Sequence, residues 1–236
     1  MYSKNITKII KLFLDTLFPI RCINCRTYDI WLCDACCDAL PLLTEQSCPH
    51  CKKVRTPHGR TCPLCTKKEY ALDGVLVASH RDDILLKKAI HYYKYRFIED
   101  LSIPLGKLLQ NILLHNPDMP HVDMILPVPL HARRLRWRGF NQALLLAQTL
   151  RTDAHITTNN LVRTRYTVPQ VKMHRRDARM HNLTGAFSLH DPATIKDQTI
   201  LLIDDVMTTG TTLTLCAQTL KDAGAKTVYA LVLARD

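Results

Sequence analysis

Four Cys-X-X-Cys pairs lie in the first third of this 236-residue chain. Nine of the ten cysteines fall between Cys22 and Cys65, and only Cys216 lies outside that segment. Two intervening residues let both sulfurs of one turn reach the same metal ion, and two such turns complete a tetrahedral site. The pairs therefore predict two structural zinc ions, with eight ligands: Cys22, Cys25, Cys33, Cys36, Cys48, Cys51, Cys62 and Cys65.

The spacing leaves the grouping of the pairs open. Sequential pairs would be joined by short connections, and an interleaved arrangement of Cys22/Cys25 with Cys48/Cys51 satisfies the same chemistry. An iron–sulfur cluster fits the ligands less well, and Cys37 breaks the two-residue spacing, so we interpret it as a spare thiol. A closed four-thiolate site has no open position for water, so this segment is predicted to be structural or to recognise a partner.

The sequence divides into three predicted segments: an amphipathic helix over 1–20, a double zinc ribbon over 21–70 and an α/β domain over 71–236. The helix is preferred to a signal peptide because Asp15 interrupts its apolar stretch and no small-residue cleavage site follows. No apolar run approaches the ~18 residues of a membrane span. We therefore expect a cytoplasmic protein, with peripheral docking at the inner face of the membrane as the open alternative.

The composition after residue 71 indicates alternating strands and helices, and hence an open, mostly parallel sheet. A chain with 47% hydrophobic and 22% charged residues is neither disordered nor collagen-like. The predicted strands are 73–80, 122–128, 184–189, 199–203 and 227–233, and the predicted helices are 82–95, 100–115, 141–151 and 211–223.

The segment 200–212, ILLIDDVMTTGTT, predicts a phosphate-binding turn. An apolar strand delivers Asp204 and Asp205, and a turn rich in Thr and Gly then opens a helix whose unpaired amides and dipole favour an anion. Two carboxylates beside a phosphate need hydroxyl donors or a cation. A ribose 5-phosphate with Mg²⁺ supplies both.

This segment resembles the phosphoribosyl pyrophosphate (PRPP) signature of type I phosphoribosyltransferases. The segment 127–142, PVPLHARRLRWRGFNQ, and Pro169, Gln170, Arg175, Arg179, Asn182 and 185–187 resemble the ComF family. That family joins zinc-ribbon cysteines to a phosphoribosyltransferase-like domain and is associated with competence for DNA uptake. The resemblance covers about residues 18–236.

The resemblance implies roles for particular residues. Asp204 and Asp205 would be catalytic and hold the ribose hydroxyls, the turn 208–212 would hold the 5′-phosphate, and the loop 129–139 would hold pyrophosphate with Mg²⁺. A mobile loop over about 163–182 would close over the site. The implied PRPP-binding residues are Pro129, Arg133, Arg138, Asp204, Asp205, Val206, Met207, Thr208, Thr209, Gly210, Thr211 and Thr212. Thr208 stands where some purine-type enzymes carry an acid, so the acceptor is left open.

Most of the formal net charge of +11 lies in one segment. Residues 131–182 contain eleven Arg or Lys and two Asp, a local net charge of +9 that exceeds what one pyrophosphate needs. Single-stranded DNA could use the surplus, and we predict contacts from Arg134, Arg136, Arg175 and Arg176. Trp137, Phe140 and Tyr166 could stack on unpaired bases, although packing in the core is the commoner role of an aromatic residue.

Two classes of function follow from these residues. The first is a PRPP- and Mg²⁺-binding ComF-type protein that handles single-stranded DNA in competence, with DNA-uptake or replication-restart proteins as candidate partners. The second is a metabolic phosphoribosyltransferase with an unidentified acceptor and no nucleic-acid role. Whether the site turns over is open, and a purely structural zinc adaptor would leave the acidic pair unexplained.

Overall fold

The computed structural model describes residues 19–68, 70–165 and 185–236. The predicted helix over 1–20 therefore lies almost wholly outside the described residues, as do Tyr166, Pro169, Gln170, Arg175, Arg176, Arg179 and Asn182. The helices are α1 Asp34–Asp38, α2 Pro63–Thr66, α3 Ile84–Tyr95, α4 Ser102–Leu114, α5 Ala132–Arg138, α6 Gln142–Gln148 and α7 Thr211–Asp222. The strands are β1 Gly74–His80, β2 Met124–Pro127, β3 His155–Ile156, β4 Leu161–Arg163, β5 Phe187–Leu189, β6 Thr199–Met207 and β7 Thr227–Arg235.

Five strands form one parallel sheet in the order β1-β7-β6-β2-β3, which confirms the predicted architecture. Strands β6 and β7 are the longest and pair from Thr199 with Thr227 to Met207 with Arg235. Strands β4 and β5 form a separate antiparallel pair. The long strands β6 and β7 are buried on both faces beneath covering helices, which is typical of a parallel sheet.

Helices cover both faces of the sheet, and the two faces follow the period of two along each strand. On one face, Leu201 and Ile203 pack with residues of α3, α4 and α6. On the other face, Ile200 and Leu202 pack with residues of α7. Residues adjacent in β6 therefore point to opposite cores, and this alternation decides where each carboxylate of the acidic pair lies.

The first half of the cysteine-rich segment is built into the same core, whereas the second cysteine cluster packs as a small core of its own. Cys22, Ile23 and Leu32 belong to the apolar cluster that contains the buried leucines of α4. Polar contacts reinforce the attachment: Lys88 Nζ donates to the Ile23 carbonyl at 2.7 Å, and Cys37 Sγ donates to the Pro104 carbonyl at 3.2 Å. The prediction that Cys37 is a spare thiol agrees with this position, outside both cysteine clusters.

Strand β1 lies at the edge of the sheet, and the segment that links the two cysteine clusters covers this edge. Gln46 pairs with Val77 through both ends of its amide: Nε2 donates to the Val77 carbonyl at 3.0 Å, and Oε1 accepts from the Val77 amide at 2.9 Å. The Leu43 amide also donates to the Ala78 carbonyl at 2.9 Å. An uncovered edge strand would invite pairing with another chain, so this segment also protects the sheet.

The structure differs from the sequence-based expectation in two places that matter for the site. The segment 129–139 was predicted to be a loop, but residues Ala132–Arg138 form α5. His131 caps its start by accepting from the Arg133 amide at 3.2 Å, and Gly139 ends it at φ 89°, a left-handed conformation suited to glycine. Strand β6 was predicted to end at 203, but it continues to Met207, because Asp204, Val206 and Met207 keep pairing with β7.

Candidate functional site

The eight predicted metal ligands form two compact groups. Cys22, Cys25, Cys33 and Cys36 make one group, Cys48, Cys51, Cys62 and Cys65 make the other, and within each group all Sγ atoms lie within 4.8 Å of one another. The pairs are thus combined sequentially, which removes the interleaved alternative.

The sulfur positions fit a four-thiolate metal site. The Sγ–Sγ distances include 3.8 Å for Cys22–Cys33, 3.5 Å for Cys25–Cys33 and 3.9 Å for Cys51–Cys62. A tetrahedral zinc with Zn–S bonds of about 2.3 Å needs sulfurs roughly 3.8 Å apart. Each group could therefore hold one metal ion.

A cleft of about 670 Å³ opens at the carboxyl ends of β2 and β6. The two neighbouring strands lead to connections on opposite faces of the sheet, since β2 continues into α5 and α6 and β6 continues into α7. Parallel α/β sheets bind ligands at such a switch point. The lining is Lys94, Tyr95, Val128, Pro129, Leu130, Arg133, Arg134, Trp137, Arg138, Asn141, Gln142, Arg163, Asp204, Asp205, Val206, Thr208 and Thr212.

Asp205 points to the α3/α6 face of the sheet and is held by protein atoms. Only 4% of the residue is exposed. Lys94 Nζ lies 2.8 Å from its Oδ1, and Gln142 Nε2 donates to its Oδ2 at 2.9 Å. Both carboxylate oxygens are therefore engaged, so Asp205 fixes Lys94 and α6 against the end of β6.

Asp204 has a different environment on the opposite face. Its Oδ1 accepts from the Asp205 amide at 2.8 Å, and its side chain is only partly buried. Even this partial burial removes water from the carboxylate and, with a further contribution from the negative charge of Asp205, raises the pKa of Asp204 to about 7. Of the two acids, Asp204 is the one with capacity to accept hydrogen bonds from a ligand in the cleft.

The turn after β6 opens α7, as the sequence predicts. Gly210 caps the helix at φ 77°, a conformation that glycine adopts without strain. Thr209 and Thr211 hydroxyls lie 2.9 Å apart within the turn. Thr208 and Thr212 line the cleft, so the amides of the first turn of α7 and two hydroxyl groups form a cradle suited to a phosphate.

Helix α5 brings a buried cation to the other side of the cleft. Arg138 is 9% exposed, and its Nε and Nη1 atoms are buried without a hydrogen-bond partner among the described residues. Burial lowers the pKa of Arg138, while the charge of Asp205 opposes this shift. A buried guanidinium with unused donors fits an anionic ligand, because unpaired buried donors are costly.

The cleft collects many, but not all, of the predicted ligand-binding residues. Met207 is buried with its side chain in the α7 core, and Thr209, Gly210 and Thr211 form the turn beside the cleft without lining it. The predicted residues that line the cleft are Pro129, Arg133, Arg138, Asp204, Asp205, Val206, Thr208 and Thr212.

The predicted nucleic-acid residues are only partly described. Arg134 lines the cleft, whereas Arg136 is exposed outside it, as expected two positions apart on a helix. Of the aromatic candidates, Phe140 is buried and packs on Tyr93 with ring centroids 5.4 Å apart, while Trp137 is 61% exposed. Phe140 therefore has the core role, and Trp137 does not.

Lys94, Gln142 and Arg163 were not predicted as site residues. Lys94 follows Ile90 by four positions on α3, so a cation on the buried side of an amphipathic helix was the available signal. Arg163 ends β4, lines the cleft and lies over Phe187, with 5.5 Å between its guanidinium carbon and the ring centroid. Gln142 carried no distinguishing signal, since glutamine is common in the first turn of a helix.

The parallel sheet and the cleft at its carboxyl edge are those of a protein with a phosphoribosyltransferase-like domain. The family model described as "Phosphoribosyl transferase domain" matches residues 143–236, which include β6, the turn and α7. Solved structures resemble the chain only partially: the glutamine PRPP amidotransferase from B. subtilis has a TM-score of 0.40 and 16% identity, covering 61% of this chain and 30% of that chain.

Full-length relatives identify the family. Competence protein F of Haemophilus influenzae is 31% identical over 92% of this chain and 98% of its own length. DNA utilization protein YhgH of Escherichia coli O157:H7 is 32% identical over 92% and 97%, and competence protein ComFC of Bacillus subtilis is 27% identical over 98% and 96%. The chain belongs to this family of competence and DNA utilization proteins, which confirms the predicted ComF resemblance.

In the part of the chain that the structure describes, none of the helices has the length and hydrophobicity needed to span a membrane.

Proposed function

We propose that this protein binds PRPP with Mg²⁺ and handles single-stranded DNA during DNA uptake, as a cytoplasmic protein. The observation that carries the PRPP part is the cleft lined by Asp204, by the first turn of α7 and by the buried Arg138. The names of the relatives, competence protein and DNA utilization protein, support the DNA part.

In this proposal each group of the ligand has a matching group in the cleft. Asp204 accepts the ribose hydroxyls, the amides and hydroxyls of the α7 turn hold the 5′-phosphate, and Arg133 and Arg138 hold the pyrophosphate. Mg²⁺ arrives with the pyrophosphate and supplies charge neutralisation when bound. Two zinc ions in the cysteine groups hold the amino-terminal segment, with no role in chemistry.

Isothermal titration of Mg·PRPP tests the site. Asp204→Asn should weaken binding about 10-fold or more, because hydrogen bonds to a charged group contribute roughly 1.5–3 kcal/mol. Asp222→Asn is the matched control, since this carboxylate lies at the far end of α7 and contacts Gln218. Unchanged affinity in Asp204→Asn would contradict the interpretation of the cleft as a PRPP-binding site. Asp205 is unsuitable for this test because its substitution perturbs the fold as well.

A salt titration tests the DNA part. Binding of single-stranded DNA should weaken with salt, with a slope of roughly −0.7 per phosphate contact. Replacing Arg134, Arg136, Arg175 and Arg176 with Ala should lower both the affinity and the slope while sparing the zinc content. If the quadruple variant binds as the wild type does, the DNA surface lies elsewhere, with the zinc ribbon the next candidate.

The same preparations separate the binding protein from a metabolic transferase. Release of pyrophosphate from PRPP on addition of a small acceptor, together with no binding of single-stranded DNA, would favour the transferase. Binding of both ligands without release of pyrophosphate would favour a PRPP-dependent DNA-handling protein, in which DNA-uptake or replication-restart proteins are the expected partners.

A further inference from the structure

The rim of the cleft carries exposed aromatic side chains that the PRPP site does not use. Trp137 is 61% exposed, Tyr95 is 54% exposed, and both line the cleft. Phe97 is 39% exposed and packs edge-on against Trp137, with ring centroids 5.0 Å apart and an interplanar angle of 85°. We call Tyr95, Phe97 and Trp137 the aromatic rim.

Core packing does not explain the aromatic rim. The neighbouring Tyr93 and Phe140 fill the core beneath it, and both are buried. Phe97 also has φ 58°, a left-handed conformation that bulky side chains rarely adopt. Backbone strain of this kind persists where the surrounding structure holds it, often at binding sites. Here it accompanies a ring that supports the exposed face of Trp137.

The surroundings of the rim are cationic. Trp137 lies three and four positions after Arg134 and Arg133 on α5, so these arginines are its neighbours on the helix surface. All three residues line the cleft together with Arg138. Of the two carboxylates in the lining, Asp205 is already paired with Lys94. An exposed ring beside several guanidiniums suits a ligand with a flat base and a phosphate.

We propose that the aromatic rim stacks an unpaired base of single-stranded DNA, with the adjoining phosphate held by Arg134 on α5. The proposal rests on the proposed DNA-handling function and assigns its contact point. It also places the strand across the mouth of the PRPP cleft, because the helix that presents Trp137 lines that cleft.

Trp137 can report on its own contact. The chain has two tryptophans, so the full-length Trp31→Phe variant leaves Trp137 as the single indole. Oligothymidylate should quench its fluorescence to saturation. An abasic oligomer of the same length carries the same phosphates but no bases, so it should bind without quenching.

Affinity measurements on variants decide the assignment. Trp137→Ala should bind oligothymidylate about 5-fold to about 100-fold more weakly, the loss expected for one stacked base, and Trp137→Phe should regain most of it. The affinity of Trp137→Ala for the abasic oligomer should stay unchanged. Tyr28→Ala is the matched control, because Tyr28 is also exposed, at 57%, and lies under the Arg21 guanidinium on the first cysteine cluster.

The outcomes are separable. If the wild type binds both oligomers and Trp137→Ala loses nothing for oligothymidylate, this inference is overturned while the DNA-handling proposal stands. If thymidine 5′-monophosphate quenches Trp137 as strongly as the oligomer does, the rim is a site for a free nucleotide instead. If neither oligomer binds the wild type, both proposals fail, and the Mg·PRPP titration still tests the phosphoribosyl site by itself.

Discussion

Lys94→Met should destabilise the protein strongly, because it leaves the Asp205 carboxylate buried without its cation. The two side chains are 20% and 5% exposed, and Lys94 Nζ lies 2.8 Å from Asp205 Oδ1. Removing one partner of a buried pair costs about 3–5 kcal/mol. Gln142 still donates to the other oxygen, so we expect the lower end, about 3 kcal/mol, which lowers Tm by about 6–12 °C in a chain of this size.

Chemical denaturation of single and double variants measures this coupling. Lys107→Met is the matched control, since Lys107 lies 2.8 Å from Asp38 Oδ1 with side chains 40% and 57% exposed, and it should cost less than about 1 kcal/mol. Adding Asp205→Asn to Lys94→Met should recover at least about 1 kcal/mol relative to the sum of the single changes. If Lys94→Met cost no more than Lys107→Met, the interpretation of Asp205 as a structural anchor would be wrong.

Three further predictions follow from other parts of the molecule. Elemental analysis should find two zinc ions per chain, and Cys22→Ser should lose the first ion and lower the free energy of unfolding, because its group shares the main core. The pKa of Asp204 is raised to about 7 in the folded state from an ordinary value of 3.8, so the folded state binds more protons than the unfolded state between these values. The free energy of unfolding should therefore fall as pH rises from about 4 to 7. Denaturation of Asp204→Asn across this pH range should show a flatter profile. Gly210→Ala should cost about 1–2 kcal/mol in thermal unfolding, because alanine is strained at φ 77°, and an unchanged Tm would contradict this reasoning.

The sequence was informative where a local pattern has one physical solution. Strand β7 and helix α7 follow from continuous apolar runs and a helix-ending glycine, and each Cys-X-X-Cys spacing brings two sulfurs to one metal site, although the grouping of the pairs came only from the structure. Helix α5 was missed because its sequence, ARRLRWR, is mostly basic, and a short charged segment has no apolar face to reveal a helix.

The different environments of Asp204 and Asp205 could not be predicted from their order along the chain. As neighbours after an apolar run, Asp204 and Asp205 were expected to face one ligand together. The continuation of β6 to Met207 sends them to opposite faces of the sheet, and the two partners of Asp205 then come from α3 and α6, far away in sequence. Such long-range partners leave no local signature, although a lysine on the buried side of α3 was a hint.

The cysteine-rich segment and the sheet are not independent modules that can be separated or exchanged. Leu32 and Ile23 share a single apolar cluster with α4, and Gln46 closes the edge of β1. A shortened chain that begins at residue 71 would uncover both the leucines of α4 and the edge of the sheet, so it should aggregate instead of behaving as a free-standing domain. Recombination that grafts another ribbon onto this sheet would face the same obstacle, because the graft must restore a shared interior as well as bind its own metal.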